Sequence, residues 1–320
     1  MMMKKFLTYI LIFPVFFVLL YPCFLIVWYS ITPNYFRSNL NYRIGSNGHL
    51  NSRLREVKNV KDIDILFLGS SHTYRGFDTR IFAEYGFTSF NLGSSSQTPL
   101  QTKVLLKRYL EQLNPKLIIY EVCPPAFSQD GAEAALDLIA NDKNDLHSLR
   151  MALEINNYKV YNTLLFAMIR NYFLTNKMYA EPITKGADTY VSGGYVERRD
   201  LHSEQVDIGK SYSLKWKYEI SQFIALSEIM DLIKERKIKV LFVNAPVPRI
   251  RYTSFPSLYE FENRIGSFGK YLDFNKLITL DEARYFFDEN HLNQMGVDTF
   301  NRSLINHIKE VYSRPEERVK

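Results

Sequence analysis

Short apolar segments with the composition of β-strands alternate with longer segments of helical periodicity from Ile63 almost to the C-terminus. The strand candidates are IDILFLG, FTSFNLG, KLIIYEV, IKVLFVNAP and, as the fifth, KLITL. Strands that alternate with helices favour a parallel sheet covered by helices. Hydrophobic residues make up 46% of the 320 positions, enough to fill such a core. We therefore expect an α/β fold with a parallel sheet of about five strands.

Three long segments next to these strands space their apolar residues three and four positions apart, as amphipathic helices do. They are PLQTKVLLKRYLEQLN, SLKWKYEISQFIALSEIMDLIKERK and MGVDTFNRSLINHIKEVY. The stretch 126–212 departs from this alternation, with a helical portion, ALEINNYKVYNTLLFAMIRNYF, before a Gly- and Tyr-rich portion, GADTYVSGGYVERRD. We predict an insertion or cap there, which either shapes a cleft or only packs on the domain.

The N-terminal region carries no formally charged residue from Phe6 to Phe36. A membrane-spanning helix needs about 20 apolar residues, whereas a cleaved signal peptide has a shorter apolar region of about 7 to 15. Lys4 and Lys5 precede the apolar run and Arg37 follows it, which favours a cytoplasmic N-terminus by the positive-inside rule. We predict a retained single-pass anchor within residues 1–36, with the rest of the chain outside the cytoplasm.

The rest of the chain is divided by composition. The polar segment 37–61, which contains GSNGHLNS, is predicted as a linker, 62–312 as the α/β domain and 313–320 as a polar tail. The net charge is +6 and the pI about 9.0, but 40 basic residues are mixed with 34 acidic ones and form no stripe. We therefore predict no nucleic-acid partner. Two cysteines, Cys23 and Cys123, are too few for a disulfide scaffold.

Small polar residues follow the first predicted strand at Gly69, Ser70, Ser71 and His72. This is the sheet edge at which open parallel sheets form ligand crevices, so Ser71 is a candidate nucleophile. The alternative is a turn that caps a helix, because serine is a good N-cap residue. The turn alone leaves both interpretations open.

Two further segments carry candidate chemistry. Gly93 follows the second strand, where a backbone N–H without a side chain in the way can approach a reacting oxygen; it is equally a simple glycine turn. Asp288 and His291, in FFDENHLNQMG, have a spacing that lets the imidazole reach a serine hydroxyl while the carboxylate holds its other nitrogen. His72 could join His291 at a metal, but no matching ligand cluster follows, so neither a metal nor another cofactor is predicted.

The order of GSSH after strand one, NLG after strand two and DENH near the C-terminus resembles the SGNH or GDSL-type hydrolase superfamily. The resemblance implies a flavodoxin-like three-layer α/β/α fold. It further implies that Ser71 is the nucleophile, His291 its general base and Asp288 the residue that orients His291. The N–H groups of Ser71 and Gly93 would bind the oxyanion.

Two departures from the family pattern concern the same site. The family's usual aspartate before the serine is Ser70 here, and the usual third-block asparagine after strand three is absent from YEVCPP, where Pro124 and Pro125 offer no N–H. Asn244 and Asn290 are possible substitutes. Ser70 and His72 are expected to be turn and cleft residues.

The chain also looks like membrane-anchored SGNH-like proteins of bacterial envelopes, which implies a place in the bacterial cytoplasmic membrane. The first function that this implies is an extracytoplasmic serine esterase or O-acyltransferase, with an O-acetyl group on a glycan or another acylated small molecule as substrate. A membrane-embedded acyl exporter would be a natural partner. The second hypothesis is a catalytically silent envelope protein that binds glycan or scaffolds a modification complex, motivated by the missing asparagine.

Overall fold

The computed structural model describes residues 2–33, 36–45, 47–173, 179–198, 217–255 and 257–313. Its eight strands are β1 Ile65–Leu68, β2 Ser89–Asn91, β3 Leu117–Glu121, β4 Thr184–Lys185, β5 Asp188–Val191, β6 Tyr195–Arg198, β7 Lys239–Asn244 and β8 Lys270–Asp273. The helices are α1 Met2–Ile31, α2 Leu50–Glu56, α3 Ser71–Gly76, α4 Thr79–Glu84, α5 Pro99–Leu113, α6 Ala132–Asn141, α7 Leu146–Ile155, α8 Tyr158–Phe173, α9 Ile220–Glu235, α10 Arg249–Thr253, α11 Leu258–Gly266, α12 Phe274–Leu277, α13 Glu282–Tyr285 and α14 Gln294–Ser313.

The central sheet has five parallel strands in the order β2-β1-β3-β7-β8. The strand order reverses direction between β1 and β3, and such a switch point opens a crevice at the carboxyl ends of the strands. The predicted fold is confirmed, because helices cover both faces of this sheet.

Alternating residues of the central strands feed two separate cores. Leu66 and Leu68 of β1 pack with side chains of α5 and α9 on one face. Ile65 and Phe67 pack with α4 and α14 on the other. All four are buried, which is typical of a strand that is covered on both faces.

The fifth strand lies earlier in the chain than predicted. The sequence KLITL was expected to form it, but β8 is Lys270–Asp273, paired with β7 from Leu241 to Asn244. The Asp273 side chain accepts the N–H of Asn275 and so begins α12, which contains the first residues of KLITL. An aspartate N-cap therefore ends the strand before the predicted segment starts.

The segment between β3 and β7 joins the main core instead of forming a separate cap. Leu138 of α6, Met151 of α7 and Val160 of α8 belong to the same buried cluster as Leu66. The predicted helical portion is two helices, since Asn156 ends α7 with a left-handed φ of 51°. Residues 184–198 of the segment form a small antiparallel sheet, β4-β5-β6, and residues 174–178 and 199–212 of the predicted insertion lie outside the described residues.

The polar segment 37–61 differs from the predicted linker because much of it is packed. Leu50 and Leu54 of α2 are buried. Arg53 is fully buried, and its guanidinium donates to the carbonyl oxygens of Gly194 (2.9 Å) and Gly48 (3.0 Å). The predicted tail lies outside the described residues beyond Ser313.

Helix α1 is long and apolar enough between Thr8 and Ile31 to cross a membrane, a description that a signal sequence also meets. Its last third packs on the domain. The Tyr21 hydroxyl donates to Asn162 Oδ1 of α8 at 2.7 Å, Leu25 is fully buried, and the rings of Tyr29 and Phe166 lie 4.4 Å apart.

Candidate active site

The turn after β1 presents Ser71 as the first residue of α3. Gly69 has a φ of +135°, and a Cβ there would lie 2.6 Å from the Glu121 carbonyl oxygen, so a glycine is required. Ser70 is the N-cap, and its Oγ accepts the N–H of His72. The turn and nucleophile interpretations are therefore compatible, since the capping hydroxyl belongs to Ser70 and leaves the hydroxyl of Ser71 available to His291.

Ser71, His291 and Asp288 are brought together as the motif spacing predicts. His291 Nε2 lies 2.9 Å from Ser71 Oγ, and His291 Nδ1 lies 2.9 Å from Asp288 Oδ2. Because a carboxylate only accepts, the hydrogen belongs on Nδ1, and Nε2 is left to accept the serine proton. This is the geometry that a serine nucleophile and its general base require.

The loop that carries Asp288 and His291 is fixed by its own hydrogen bonds. Asp288 Oδ1 accepts the N–H groups of Asn290 and His291, both at 2.7 Å. Burial raises the pKa of the Asp288 carboxyl, but His291 and these two N–H groups outweigh it, so the pKa is lowered below its usual value. The carboxylate is therefore ionised at neutral pH and holds the imidazole in one orientation.

His72 lies beside the His291 ring, with centroids 5.2 Å apart, while Phe287 stacks on His291 at 5.7 Å. His72 Nε2 lies 3.0 Å from the Asn290 carbonyl oxygen. Because a carbonyl oxygen only accepts, the hydrogen of the His72 ring belongs on Nε2. Burial and the neighbouring His291 lower the pKa of His72 to about 3. His72 is thus a neutral wall of the site at physiological pH.

Glu121, at the end of β3, lies directly beneath the turn. Its Oε2 accepts the N–H (3.2 Å) and the hydroxyl (3.0 Å) of Ser70. Its Oε1 has no hydrogen-bond partner among the described residues and lies 3.7 Å from His72 Nδ1. Burial raises the pKa of Glu121 to about 7, although the hydrogen bonds from Ser70 act in the opposite direction.

His72, Glu121 and Cys123 form a cluster whose possible ligand atoms lie within 4.8 Å of one another. The Ser70 hydroxyl already bridges them, with its oxygen 3.2 Å from His72 Nδ1, 3.0 Å from Glu121 Oε2 and 3.9 Å from Cys123 Sγ. Burial raises the pKa of the Cys123 thiol, so it is not the thiolate that a metal or a nucleophilic role needs. The cluster therefore supports the turn and gives no reason to place an ion there.

Gly93 does not take the predicted place beside the reacting oxygen. Its N–H donates to Asn91 Oδ1 at 3.0 Å and is therefore already used. A Cβ on Gly93 would lie 2.6 Å from Thr73 Cβ and 2.9 Å from the Ser70 carbonyl oxygen, so this glycine is needed for packing. By contrast, the Ser71 N–H makes no hydrogen bond among the described residues.

A cavity of about 150 Å³ opens at Ser71 and His291. Ser70, His72 and Asn290 line it as predicted, together with Ser96 of the second turn. Pro125 lines the side where the third-block asparagine was expected, and it offers no N–H.

Asn244 is not among the residues that line this cavity; it is buried at the end of β7, opposite Asp273. Arg251 of α10 does line this cavity but was not predicted as a site residue. The segment PRIRY after a strand is only a weak indication of a functional arginine. From the sequence, Glu121 or Cys123 could face the crevice, and a structural role was preferred for both; a glutamate in the apolar strand KLIIYEV is unusual enough to mark the position.

No protein-family model matches the sequence. No curated protein matches it either. Among solved structures, the chain is similar to a GDSL-like lipase from Bacteroides thetaiotaomicron, with 14% identity and a TM-score of 0.44 over 82% of this chain and 98% of that one.

Two other solved structures are similar to this chain. One is a lipase/acylhydrolase from Enterococcus faecalis, with 12% identity and a TM-score of 0.39 over 78% of this chain and 97% of that one. The other is a mutant acetyl-xylooligosaccharide esterase from Geobacillus, with 14% identity and a TM-score of 0.37 over 80% and 99%. Because identities and TM-scores are this low, the chemistry of the site has to be argued from its own geometry.

Proposed function

We propose that this chain is an SGNH-type serine acyl-hydrolase or O-acyltransferase that works through an acyl-serine intermediate. The observation that carries the proposal is the continuous hydrogen-bonded line from Ser71 Oγ through both nitrogens of His291 to Asp288. Ser71 lies 220 positions before His291 in the sequence, and the three side chains meet near the switch point of the sheet.

In the proposed mechanism, His291 Nε2 takes the proton of Ser71 as Oγ attacks the carbonyl carbon of an ester. The Ser71 N–H donates to the carbonyl oxygen of the ester, which carries the negative charge of the tetrahedral intermediate. The tetrahedral intermediate then collapses, the alcohol leaves with the proton from His291, and the acyl group remains on Ser71. Water or a sugar hydroxyl next loses its proton to His291 and attacks the acyl carbon. The bond to Ser71 Oγ then breaks, and His291 returns the proton to Oγ, which completes hydrolysis or transfer.

The size of the cavity favours a short acyl group such as acetyl. Its volume of about 150 Å³ is smaller than the roughly 300 Å³ at which ordinary ligand pockets begin. The alcohol part of the substrate would then lie outside, where a glycan chain fits.

The packing of α1 on α8 favours a retained anchor over a cleaved leader, since cleavage after α1 would remove Leu25 and Tyr29 and expose the domain side chains that they cover, such as Phe166. The proposed place is therefore the bacterial cytoplasmic membrane, with the domain outside the cytoplasm. A membrane-embedded acyl exporter belongs to the same proposal as the partner that would supply acyl groups to a transferase.

The second candidate is a silent glycan-binding or scaffolding protein with the same cleft. It is favoured by the oxyanion side of the site, where the Gly93 N–H is engaged and Pro125 offers none. Ser96 and Gln97 are the described residues of the second turn that line the cavity, and the enzyme proposal requires one of them or a shift of this turn to supply the second donor.

A fluorophosphonate probe and 4-nitrophenyl acetate separate the two candidates. The enzyme proposal expects labelling and ester turnover in the full-length protein and in Ser95→Ala, a matched serine of the second turn that does not line the cavity. Labelling by the probe and ester turnover should both be lost in Ser71→Ala. Absence of labelling and turnover in the unchanged protein would favour the silent candidate, whereas activity in Ser71→Ala would reject the nucleophile.

Mass analysis of acyl groups on surface glycan, with and without the protein in its cells, tests the glycan substrate. Transfer is distinguished from hydrolysis by the fate of the acyl group when a sugar acceptor competes with water. An acylated sugar marks a transferase, and acetate alone marks an esterase.

A further inference from the structure

We propose that a second cavity, at the base of α1, binds the phosphate of an anionic phospholipid headgroup. This cavity of about 240 Å³ lies between the end of α1, the segment 37–43 and the start of α8. Three cationic residues line it: Arg37, Arg43 and Lys159. The other described residues of its lining are neutral, and none of them is an aspartate or a glutamate.

The three cations share the lining of this one cavity. Arg37 lies 4.2 Å above the ring of Tyr29 and donates from Nε to the Thr32 carbonyl oxygen. Lys159 is the second residue of α8, at a helix N-terminus, where a cation is unfavourable and an anion is favoured. An anion between these groups relieves both the repulsion among the cations and the clash of Lys159 with the helix dipole.

The walls of the cavity are built from the domain. The Tyr29 hydroxyl donates to the Tyr42 carbonyl oxygen at 3.0 Å. The Asn41 N–H donates to Thr163 Oγ1 at 3.1 Å, and Asn162 Nδ2 donates to the Asn39 carbonyl oxygen at 3.1 Å. These bonds fasten the segment after α1 to α8, so the cavity has a defined shape before any ligand arrives.

The position of the cavity assigns the anion to a lipid and not to a soluble phosphate. The side of α1 away from the domain stays apolar to the end of the helix, with Phe24, Val27 and Ile31 exposed. Arg37 is the first formally charged residue after Lys5. If α1 spans a bilayer, the hydrocarbon region therefore ends where the cavity begins, at the depth of the headgroups. The inference requires the anchor but no ester chemistry at Ser71.

The test uses the full-length protein in nanodiscs and the fluorescence of Trp28, which lies next to Tyr29 in α1. A Trp216→Phe background leaves Trp28 as the only tryptophan of the chain. Quenching by brominated phosphatidylglycerol is compared with quenching by brominated phosphatidylcholine at equal mole fraction. We expect stronger quenching by the anionic lipid, and a ratio of about one in the double variant Arg43→Gln, Lys159→Gln.

The control Lys58→Gln, Lys234→Gln removes the same charge from exposed positions outside the cavity. It should keep the lipid preference and the quenching ratio of the parent protein. Equal loss in this control would show a general charge effect and overturn the proposal.

A second measurement needs no tryptophan change: the Tm of the unchanged protein in neutral detergent with added phosphatidylglycerol, phosphatidylcholine or inorganic phosphate. Stabilisation by phosphatidylglycerol alone supports a headgroup site. Equal stabilisation by inorganic phosphate would reassign the cavity to a soluble anion, and no response to either would overturn the site. Ester turnover in Arg43→Gln, Lys159→Gln should match the parent protein, so failure here does not bear on Ser71.

Discussion

Substituting Glu121→Gln should change how the stability of the domain depends on pH. Glu121 is buried, and its pKa in the folded protein is raised from 4.5 to about 7. Above about pH 4.5 the unfolded carboxyl has lost its proton while the folded one keeps it, so the folded state binds more protons. The free energy of unfolding therefore falls as pH rises through this window, by about 1.4 kcal/mol per pH unit, until the folded carboxyl ionises near pH 7.

The total loss attributable to Glu121 is about 3 kcal/mol, the pKa difference multiplied by the energy of one unit. Glutamine keeps an oxygen that can accept from Ser70 but cannot ionise, so the loss disappears in Glu121→Gln. His72 is the titratable group next to it, together with Cys123. His72 has a pKa lowered from 6.5 to about 3, which makes stability rise with pH between those values. The effect of His72 on stability therefore opposes that of Glu121. Because His72 is present in the unchanged protein and in Glu121→Gln alike, its effect cancels when their Tm values are subtracted.

The assay is the Tm of both proteins, measured side by side in the same neutral micelles from about pH 4.5 to about pH 8. The variant should gain roughly 6 to 12 °C on the unchanged protein across this range, because a domain of this size shifts by about 2 to 4 °C per kcal/mol. The exposed Glu235→Gln serves as control and should show no such gain. A Tm difference that stays constant with pH, or one that shrinks, would refute the raised pKa of Glu121.

Two further substitutions test the site. Asp288→Asn should lower ester turnover by roughly 10³ to 10⁴-fold with little change in KM. The amide oxygen takes the place of Oδ1 and accepts the N–H groups of Asn290 and His291, so the NH2 group donates to His291 Nδ1 and selects the wrong tautomer. Turnover within tenfold of the parent would contradict the orienting role. Gly93→Ala should lower the free energy of unfolding by about 1 to 3 kcal/mol in a denaturant titration, because its Cβ meets Thr73 and the Ser70 backbone. Gly266→Ala, where a Cβ meets no atom within 4 Å, is the matched control, and an equal effect in both would remove the packing argument.

The parts of the structure that follow from local pattern were predictable. Four strands of the sheet were predicted from short segments of a length and composition typical of strands, and the helical segments between them indicated a parallel sheet. Ser71 was found because it lies just past a predicted strand, at the edge where a parallel sheet forms ligand crevices. Asp288 and His291 were found because their spacing suits a carboxylate and an imidazole that act on a serine.

The parts that depend on partners far away in sequence were not predictable. The sequence around Gly93 is the same whether its N–H faces a substrate or Asn91. Only the fold shows that the N–H donates to Asn91 and that Thr73 packs against the glycine. The segment 37–61 was predicted as a linker because its residues are mostly polar, among them Arg53. Arg53 is nevertheless buried, because the fold brings the carbonyl oxygens of Gly194 and Gly48 to its guanidinium. Strand β8 was placed too late because the capping role of Asp273 outweighs the β-propensity of the residues that follow it.

The contacts between α1 and α8 have a consequence for how a membrane-bound form of this protein would meet its substrates. A domain joined to its anchor by a flexible segment samples many heights and tilts above a bilayer. Here the last turns of α1 are hydrogen bonded and packed into the domain through Tyr21, Leu25 and Tyr29. In a bilayer, the opening at Ser71 would lie at one height and point in one direction. If the proposed surface glycan is the substrate, geometry as well as chemistry would then decide which part of it is modified.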